Sequence, residues 1–149
     1  MATRRCFLFT LSALAGVTLT GGVRAQVPAE RESLLRQMTG GAAVRSGRVT
    51  FDTPELADNG HAVPVRIAVD SPMTAADHVR SITVIAERNP RPIVATFTLS
   101  PHSGRAQVVT RIRLADNQEV LALAQMSDGS YWLGGARVIV TELACLEGG

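Results

Sequence analysis

The chain has 149 residues, of which 46% are hydrophobic and 19% are charged, and this favours one globular domain over a disordered chain. Its formal charge is +2, but three of the arginines lie in a predicted leader. Without them, twelve basic residues stand against thirteen acidic ones, which leaves no basic excess for binding nucleic acid.

Residues 1–25 have the order of a secretory leader. Arg4 and Arg5 precede an apolar run, and Val23 and Ala25 offer short side chains at positions −3 and −1 of a cleavage site. The run of about 13 residues is shorter than the roughly 18 to 20 that span a bilayer, so a membrane anchor is the weaker interpretation. The paired arginines followed by Phe-Leu resemble a twin-arginine signal, with an ordinary secretory leader as the alternative. We therefore expect a periplasmic protein without a membrane segment.

Cleavage of the leader removes Cys6 and leaves Cys145 as the one cysteine of the mature chain. A lone thiol in an exported protein cannot form an internal disulfide. It must pair with another molecule, react, or be buried in the core.

Residues 26–46 predict a short helix followed by a linker. Pro28 suits the first helical turn, and Gly40-Gly41 ends the helix after Met38. An apolar stripe runs along this helix, which we expect to pack on the edge of the domain. The stripe consists of Leu34, Leu35 and Met38.

Residues 47–141 change to the two-residue period of β-strands and predict a β-sandwich domain. The predicted strands are centred on Val49 and Phe51, Val63 to Val69, Ile82 to Ala86, Ile93 to Leu99, Ala106 to Leu114, Val120 to Gln125, Tyr131 to Leu133, and Arg137 to Thr141. Turn residues, among them Asn89-Pro90 and Asp116-Asn117, separate them at nearly regular spacing. This pattern predicts an all-β fold, an immunoglobulin-like antiparallel sandwich of seven to eight strands with a short N-terminal helix. The cysteine pair of antibody domains is absent, and we expect Trp132 to serve packing.

The segment from Val63 to Val69 carries the clearest alternation. We expect its apolar face to pack against Ile112 and Phe97 on the facing sheet. Pro64 lies on the other face and cannot donate a hydrogen bond to a neighbouring strand. This proline predicts an edge strand or a bulge.

Other candidate sites are weak. His61, His78 and His102 lie in separate turns without a second ligand at metal-binding spacing, so we expect no metal and no cofactor. No serine-nucleophile or nucleotide-binding motif is present. A row formed by Arg105, Arg111 and Arg113 predicts a solvated sheet face, with an anion or partner surface as the alternative.

Residues 142–149 predict a C-terminal arm that carries Cys145. Four extended residues after Thr141 reach about 13 Å. Glu142 and Glu147 disfavour the reactive thiolate and no base is adjacent in sequence, so this thiol suits a handle for other enzymes better than a catalyst. Alternatively, the last strand continues to Cys145, whose position would then be buried. The spacing leaves both open.

Five segments, in order, resemble one known family. They are Ala57-Asp58-Asn59-Gly60-His61-Ala62-Val63-Pro64-Val65, Asp70-Ser71-Pro72-Met73-Thr74, Ile85-Ala86-Glu87-Arg88-Asn89-Pro90-Arg91-Pro92, Thr110-Arg111-Ile112-Arg113-Leu114-Ala115 and Ala124-Gln125-Met126-Ser127-Asp128-Gly129-Ser130. They are similar to the SoxY family, the sulfur carriers of the bacterial Sox sulfur-oxidising system. The likeness extends over about residues 30 to 145.

The resemblance implies an immunoglobulin-like, periplasmic, twin-arginine-exported protein that forms a heterodimer with a SoxZ subunit. It implies that Cys145 carries sulfur intermediates of thiosulfate oxidation as covalent adducts. A haem-containing enzyme would attach thiosulfate, a manganese hydrolase would release sulfate, and a molybdenum and haem enzyme would oxidise the remaining sulfur. The carrier itself would be a substrate of these enzymes and not an enzyme.

The tail departs from the Gly-Gly-Cys-Gly-Gly pattern of the family. Leu143 and Ala144 replace the first two glycines, and Leu146 and Glu147 precede the closing pair. Glycine gives an arm freedom and a slim profile that these residues lack. The sequence therefore keeps a second hypothesis, a non-catalytic periplasmic β-sandwich that binds a protein partner and uses Cys145 structurally. A third is an anion-binding module that uses the arginine row.

Overall fold

The computed structural model describes residues 28–141. The elements in chain order are α1 (Ala29–Thr39), β1 (Val44–Arg45), β2 (Val49–Asp52), β3 (Leu56–Ala57), β4 (Val63–Val69), β5 (Val79–Ala86), β6 (Ile93–Thr98), a 3-10 turn (Pro101–Ser103), β7 (Gln107–Ile112), β8 (Gln118–Met126) and β9 (Tyr131–Val140). No helix within this part of the chain has the length and apolar character to cross a membrane.

Two sheets pack face to face, which confirms the predicted sandwich. The larger sheet has the order β1-β9-β8-β5-β6, with β3 also paired to β9, and the smaller has the order β2-β4-β7. The long neighbouring strands are antiparallel, whereas the two-residue strands β1 and β3 lie parallel to β9. These two short strands bring the count to nine and were not predicted, because two residues are too few to show a period.

The alternation along β4 places its apolar side chains between the sheets. Val63 and Ile67 are completely buried there, and Val65 is 2% exposed. Phe97 lies on the opposite sheet and packs against this core, as expected. Ile112 was misplaced by the sequence, because β7 pairs with β4 in the same sheet and Ile112 is the register partner of Val63.

Pro64 does not mark an edge strand, so this expectation is wrong for β4 as a whole. β4 is the central strand of its sheet, and Pro64 pairs with Arg111 of β7 in regular register, without a bulge. However, β2 pairs with β4 only from Arg66 to Val69. The Pro64 carbonyl accepts a hydrogen bond from Thr53 Oγ1 at 2.9 Å, on the side where β2 has already ended. The N and O atoms of one residue point to the same side of a strand. The position where Pro64 lacks an N–H is therefore on the side that β2 leaves unpaired, and the ladder loses no hydrogen bond there.

The helix α1 covers the outer face of the larger sheet. Its stripe residues Leu34, Leu35 and Met38 pack on Ile85 of β5 and on Leu121 and Leu123 of β8. This cover explains why β8 reads as a continuous apolar run, since both of its faces are buried. The helix ends as predicted at Gly40, whose φ of 63° is left-handed.

β9 is one strand, although the sequence predicted two with a break at Gly134-Gly135. Strand β2 of the smaller sheet passes closely over Gly134. A Cβ atom there would lie 2.6 Å from the Val49 carbonyl oxygen. The glycine therefore admits a close backbone approach and does not interrupt the strand.

Candidate functional site

The end of β9 is the point from which the predicted arm departs. The Thr141 amide donates to the Ala57 carbonyl at 3.1 Å, and Thr141 Oγ1 donates to the Asp58 carbonyl at 2.6 Å. Strand β3 provides this pairing, since Ala57 is the register partner of Val140. We call Val140 and Thr141 the arm root. Its backbone is held against β3 on one side.

A chain of side-chain hydrogen bonds holds the arm root from the other side. Asn117 Oδ1 accepts a hydrogen bond from the backbone N–H of Val140 at 2.6 Å, and the backbone N–H of Asn117 donates to Asp116 Oδ1 at 2.7 Å. Arg88 Nη1 donates to Asp116 Oδ2 at 2.6 Å. The hydrogen bond from Arg88 and that from the Asn117 amide lower the pKa of Asp116. Because this pKa is lowered by folding, the carboxylate stabilises the fold above its ordinary titration range, and the effect is lost as the pH falls through the lowered value.

A second layer of contacts joins the two neighbouring turns. Asn89 Nδ2 donates to the Arg113 carbonyl at 2.8 Å, and Asn89 Oδ1 accepts from the Ala115 amide at 2.9 Å. Buried Gln118 donates to Asn89 Oδ1 at 3.2 Å and accepts from the Arg88 amide at 2.9 Å. The β5–β6 turn, the β7–β8 turn and the end of β9 thus form one hydrogen-bonded unit. We call it the arm-root unit; its side chains are those of Arg88, Asn89, Asp116, Asn117 and Gln118. It can fix a chain in position, and its polar groups are engaged with each other.

The predicted attachment residue, Cys145, lies outside the described residues. The same holds for the rest of the arm, including Leu143, Ala144, Leu146 and Glu147, and for the predicted leader. The structure therefore describes where the arm begins. The choice between an arm and a continued strand at Cys145 stays a prediction.

The three histidines lie in separate loops of the fold. The amide of His61 donates to Asn59 Oδ1 at 3.1 Å, and His78 Nδ1 lies 3.1 Å from the Thr74 carbonyl oxygen. His102 lies in the 3-10 turn. Within residues 28–141, no three histidine, cysteine or acidic side chains come together as a metal site.

The arginine row lies as the sequence predicted, on the outward face of β7 and its flanks. Arg105, Arg111 and Arg113 are all exposed. Between them, the side chain of Val109 is 66% exposed. The row is therefore solvated in the isolated chain.

Trp132 contributes packing, as expected, at the end of β9 opposite to the arm root. It is half-buried against the main core. The guanidinium carbons of Arg45 and Arg48 lie 5.8 and 5.0 Å from the centre of its ring. Cation–π attraction of this kind fixes the ring at the surface.

The residues that sequence reasoning missed are those of the arm-root unit. Asn89, Asp116 and Asn117 were recognised only as turn formers, and Gln118 carried no signal. Their partners lie 23 to 30 positions away in sequence. Only the asparagine-rich turns at the same end of two predicted hairpins could have indicated a shared role.

The comparisons with known proteins agree with this architecture. A structure titled as the sulfur carrier protein SoxY from Chlorobium limicola f thiosulfatophilum is similar with a TM-score of 0.63 and 24% identity, over 76% of this chain and 97% of that one. A superoxide reductase (neelaredoxin) from Ignicoccus hospitalis has a TM-score of 0.56 and 18% identity, over 63% of this chain and 80% of that one. A putative superoxide reductase from Thermotoga maritima gives 0.55 and 17%, over 68% and 95%. At such identities these structures show the shared fold alone.

No curated protein sequence matches the chain. A family model described as "Sulfur oxidation protein SoxY" matches residues 35–145, which is most of the chain and extends to the cysteine of the predicted arm. As the sequence predicted, this membership makes the protein a carrier in sulfur oxidation and not a catalyst, and it implies partner proteins of the Sox system. The chain belongs to the SoxY family of sulfur oxidation proteins.

Proposed function

We propose that the protein is a periplasmic carrier that binds sulfur intermediates of thiosulfate oxidation covalently through the Cys145 thiol. It presents them to partner enzymes and works as a heterodimer with a SoxZ-like subunit. The observation that carries this proposal is the family match, which runs through the sandwich and extends to residue 145. Cys145 is the one cysteine outside the predicted leader.

The arm root supports the proposal mechanically. A carried group must be offered to several enzymes from a defined point. Hydrogen bonds that the arm root donates to Asp58, Ala57 and Asn117 hold that point in place. Four further residues in extended form bring a thiol about 13 Å beyond Thr141. For the thiol to enter its active site over that distance, a partner enzyme must approach the sandwich at the end where the arm root lies.

The chemistry is supplied by the enzymes. When the thiolate of Cys145 and thiosulfate are joined by an S–S bond, two electrons leave the pair and pass to the haem-containing enzyme. Hydrolysis by the manganese enzyme then releases sulfate and leaves the sulfane sulfur on the cysteine. A molybdenum and haem enzyme oxidises that remaining sulfur. The carrier contributes the thiol.

Two labelling measurements on the mature protein test this function. Native protein from the periplasmic fraction is treated with a thiol alkylator and analysed by mass spectrometry. We expect full labelling of Cys145 without denaturant and an N-terminus at Gln26. With thiosulfate and the haem-containing Sox enzyme of the same bacterium, we expect a mass gain of about 112 Da, that of one S₂O₃ group.

The variant Cys145→Ser is the matched control. It should lose both the label and the adduct and keep the melting temperature, because an exposed residue contributes little to stability. A Cys145 that reacts only in denaturant, with a lower melting temperature for Cys145→Ser, would contradict the carrier and favour the protein-binding module.

A further inference from the structure

No element within residues 28–141 covers the outer face of the smaller sheet, which carries a regular arrangement of side chains. In the central row, Arg66 of β4 stands between Asp52 of β2 and Val109 of β7. In the next row, Pro64 stands beside Arg111. Arg105 and Arg113 flank β7 on the same face. We call this surface, from β7 and its flanking residues Arg105 and Arg113 across to Arg66, the basic face.

The arginines of the basic face have no carboxylate partner. Among the residues that the structure describes, the salt bridges involve Arg31, Arg36, Arg48 and Arg88, and none involves Arg66, Arg105, Arg111 or Arg113. Asp52, the acidic residue at an outward position of these three strands, lies opposite Arg66 in register without coming within 4.0 Å of it. The face therefore presents several uncompensated positive charges.

This arrangement is unfavourable for the isolated sheet. Arg66 and Arg111 occupy diagonal positions on adjacent strands, and like charges at such short range repel each other. The exposed Val109 between them leaves apolar surface in water. Short side chains at Pro64 and Ala68 keep the centre of the face flat. A small apolar centre within a rim of arginines is typical of a protein interface, and arginine is enriched in such surfaces.

Charge complementarity selects the occupant. We infer that the basic face docks a protein that presents acidic side chains around a small apolar patch. The inference rests on the proposed function, in which the carrier forms a heterodimer, and assigns the face to the SoxZ-like subunit. A flat sheet face suits a broad protein surface and offers no cleft for a free anion. Because the face extends along β7 towards Arg113, whose carbonyl binds Asn89 of the arm-root unit, the docked subunit lies beside that unit.

A charge-reversal experiment tests this surface. The affinity of the mature chain for the purified SoxZ-like subunit of the same bacterium is measured by calorimetry at low and at high salt. Arg66→Glu/Arg111→Glu should weaken binding by at least about 100-fold, since like charges face each other in the complex. The control Arg80→Glu/Arg91→Glu makes the same change of charge at exposed positions of β5 and of the β5–β6 turn, away from the basic face. It should weaken binding by less than about threefold.

Each result decides the inference. Strong weakening confined to the first variant, with an unchanged melting temperature and a salt-dependent wild-type affinity, supports it. Equal effects of the two variants, no effect of either, or no binding by the wild type overturn it. Self-association of the wild type that Arg66→Glu/Arg111→Glu abolishes also overturns it, because the occupant is then a second copy. Alkylation of Cys145 is measured on the same variants, so that a failure of the carrier function is recognised separately.

Discussion

The two outer faces of the sandwich show how differently one chain treats its exposed sheets. On the larger sheet, outward Leu121 and Leu123 are each 3% exposed because α1 covers them. On the smaller sheet, outward Val109 is 66% exposed and no described helix covers it. The first face completes the fold, whereas the second is left for a partner.

The arginines on the two sides differ in the same way. Arg31 of α1 binds Glu87 at 2.6 Å and Glu119 at 2.7 Å, and these hydrogen bonds raise its pKa further above the neutral range. Arg66 and Arg111 have no such partner among the described residues. Because the pKa of Arg31 is raised by folding, its charged form stabilises the fold fully at every pH below the ordinary pKa of arginine. Arginine therefore stabilises the covered face and is available for recognition on the bare one.

The largest expected effect separates the inside of the smaller sheet from its outside. Val65→Asp places a charge without a partner at a position that is 2% exposed, and it should lower the free energy of unfolding by about 4 kcal/mol or more. Val109→Asp introduces the same side chain on the neighbouring strand, where it faces water. This variant should change the free energy of unfolding by less than about 0.5 kcal/mol. Urea denaturation measures both. Similar losses for the two variants would refute the assignment of the faces.

The next effect tests the cover that α1 provides. Leu121→Ala removes a side chain that packs under the helix and should cost about 2 to 3 kcal/mol. Ile93→Ala is the control on the same outer face, where the side chain is 46% exposed, and should cost less than about 1 kcal/mol. Thermal unfolding followed by circular dichroism compares them. Equal costs would mean that the helix does not seal this face in solution.

A smaller effect compares two arginines of the same helix. Arg31→Gln breaks half-buried contacts with Glu87 and Glu119 and should cost about 1 kcal/mol. Arg36→Gln breaks an exposed pair with Glu32 one turn away and should cost less than about 0.5 kcal/mol. Denaturation at low and high salt distinguishes them. A cost for Arg36→Gln that matches that of Arg31→Gln would contradict the bridging role of Arg31.

The smallest effect concerns the bare face. Arg111→Gln removes one charge from a repelling group and should leave the free energy of unfolding unchanged, or raise it by up to about 0.5 kcal/mol. The expected loss appears only in the affinity for the partner subunit. Denaturation and calorimetry on the same variant measure both quantities. A clear loss of stability would show that Arg111 serves the fold and not recognition.

Much of the fold could be predicted because the signals are local. The alternation from Val63 to Val69 shows in sequence which side chains face inward, and the glycines after Met38 show where the helix ends. The pairing of strands could not be predicted in the same way. Ile112 was assigned to the wrong sheet, and Pro64 was taken to mark an edge, since register and strand order depend on contacts between distant segments.

In the candidate site, too, features that depend on single residues could be predicted and long-range contacts could not. Cys145 was predicted from its chemistry, without any contact information, and its role stays a prediction. The unit that holds the arm root was invisible, because Asn117 meets Val140 over 23 positions and Asn89 meets Arg113 over 24. Turn composition shows that a residue leaves a strand. It does not show which carbonyl or amide its side chain reaches.

The sequence alone thus determined the sandwich class and the family resemblance, because composition, periodicity and motifs are properties of neighbouring residues. The tertiary structure alone decided which outer face is covered and which is bare. An outward residue is exposed or buried according to what packs on it, and for Leu121 that cover comes from α1, more than 80 positions earlier in the chain. Long-range packing carries that information, since the burial of a side chain depends on its neighbours in space.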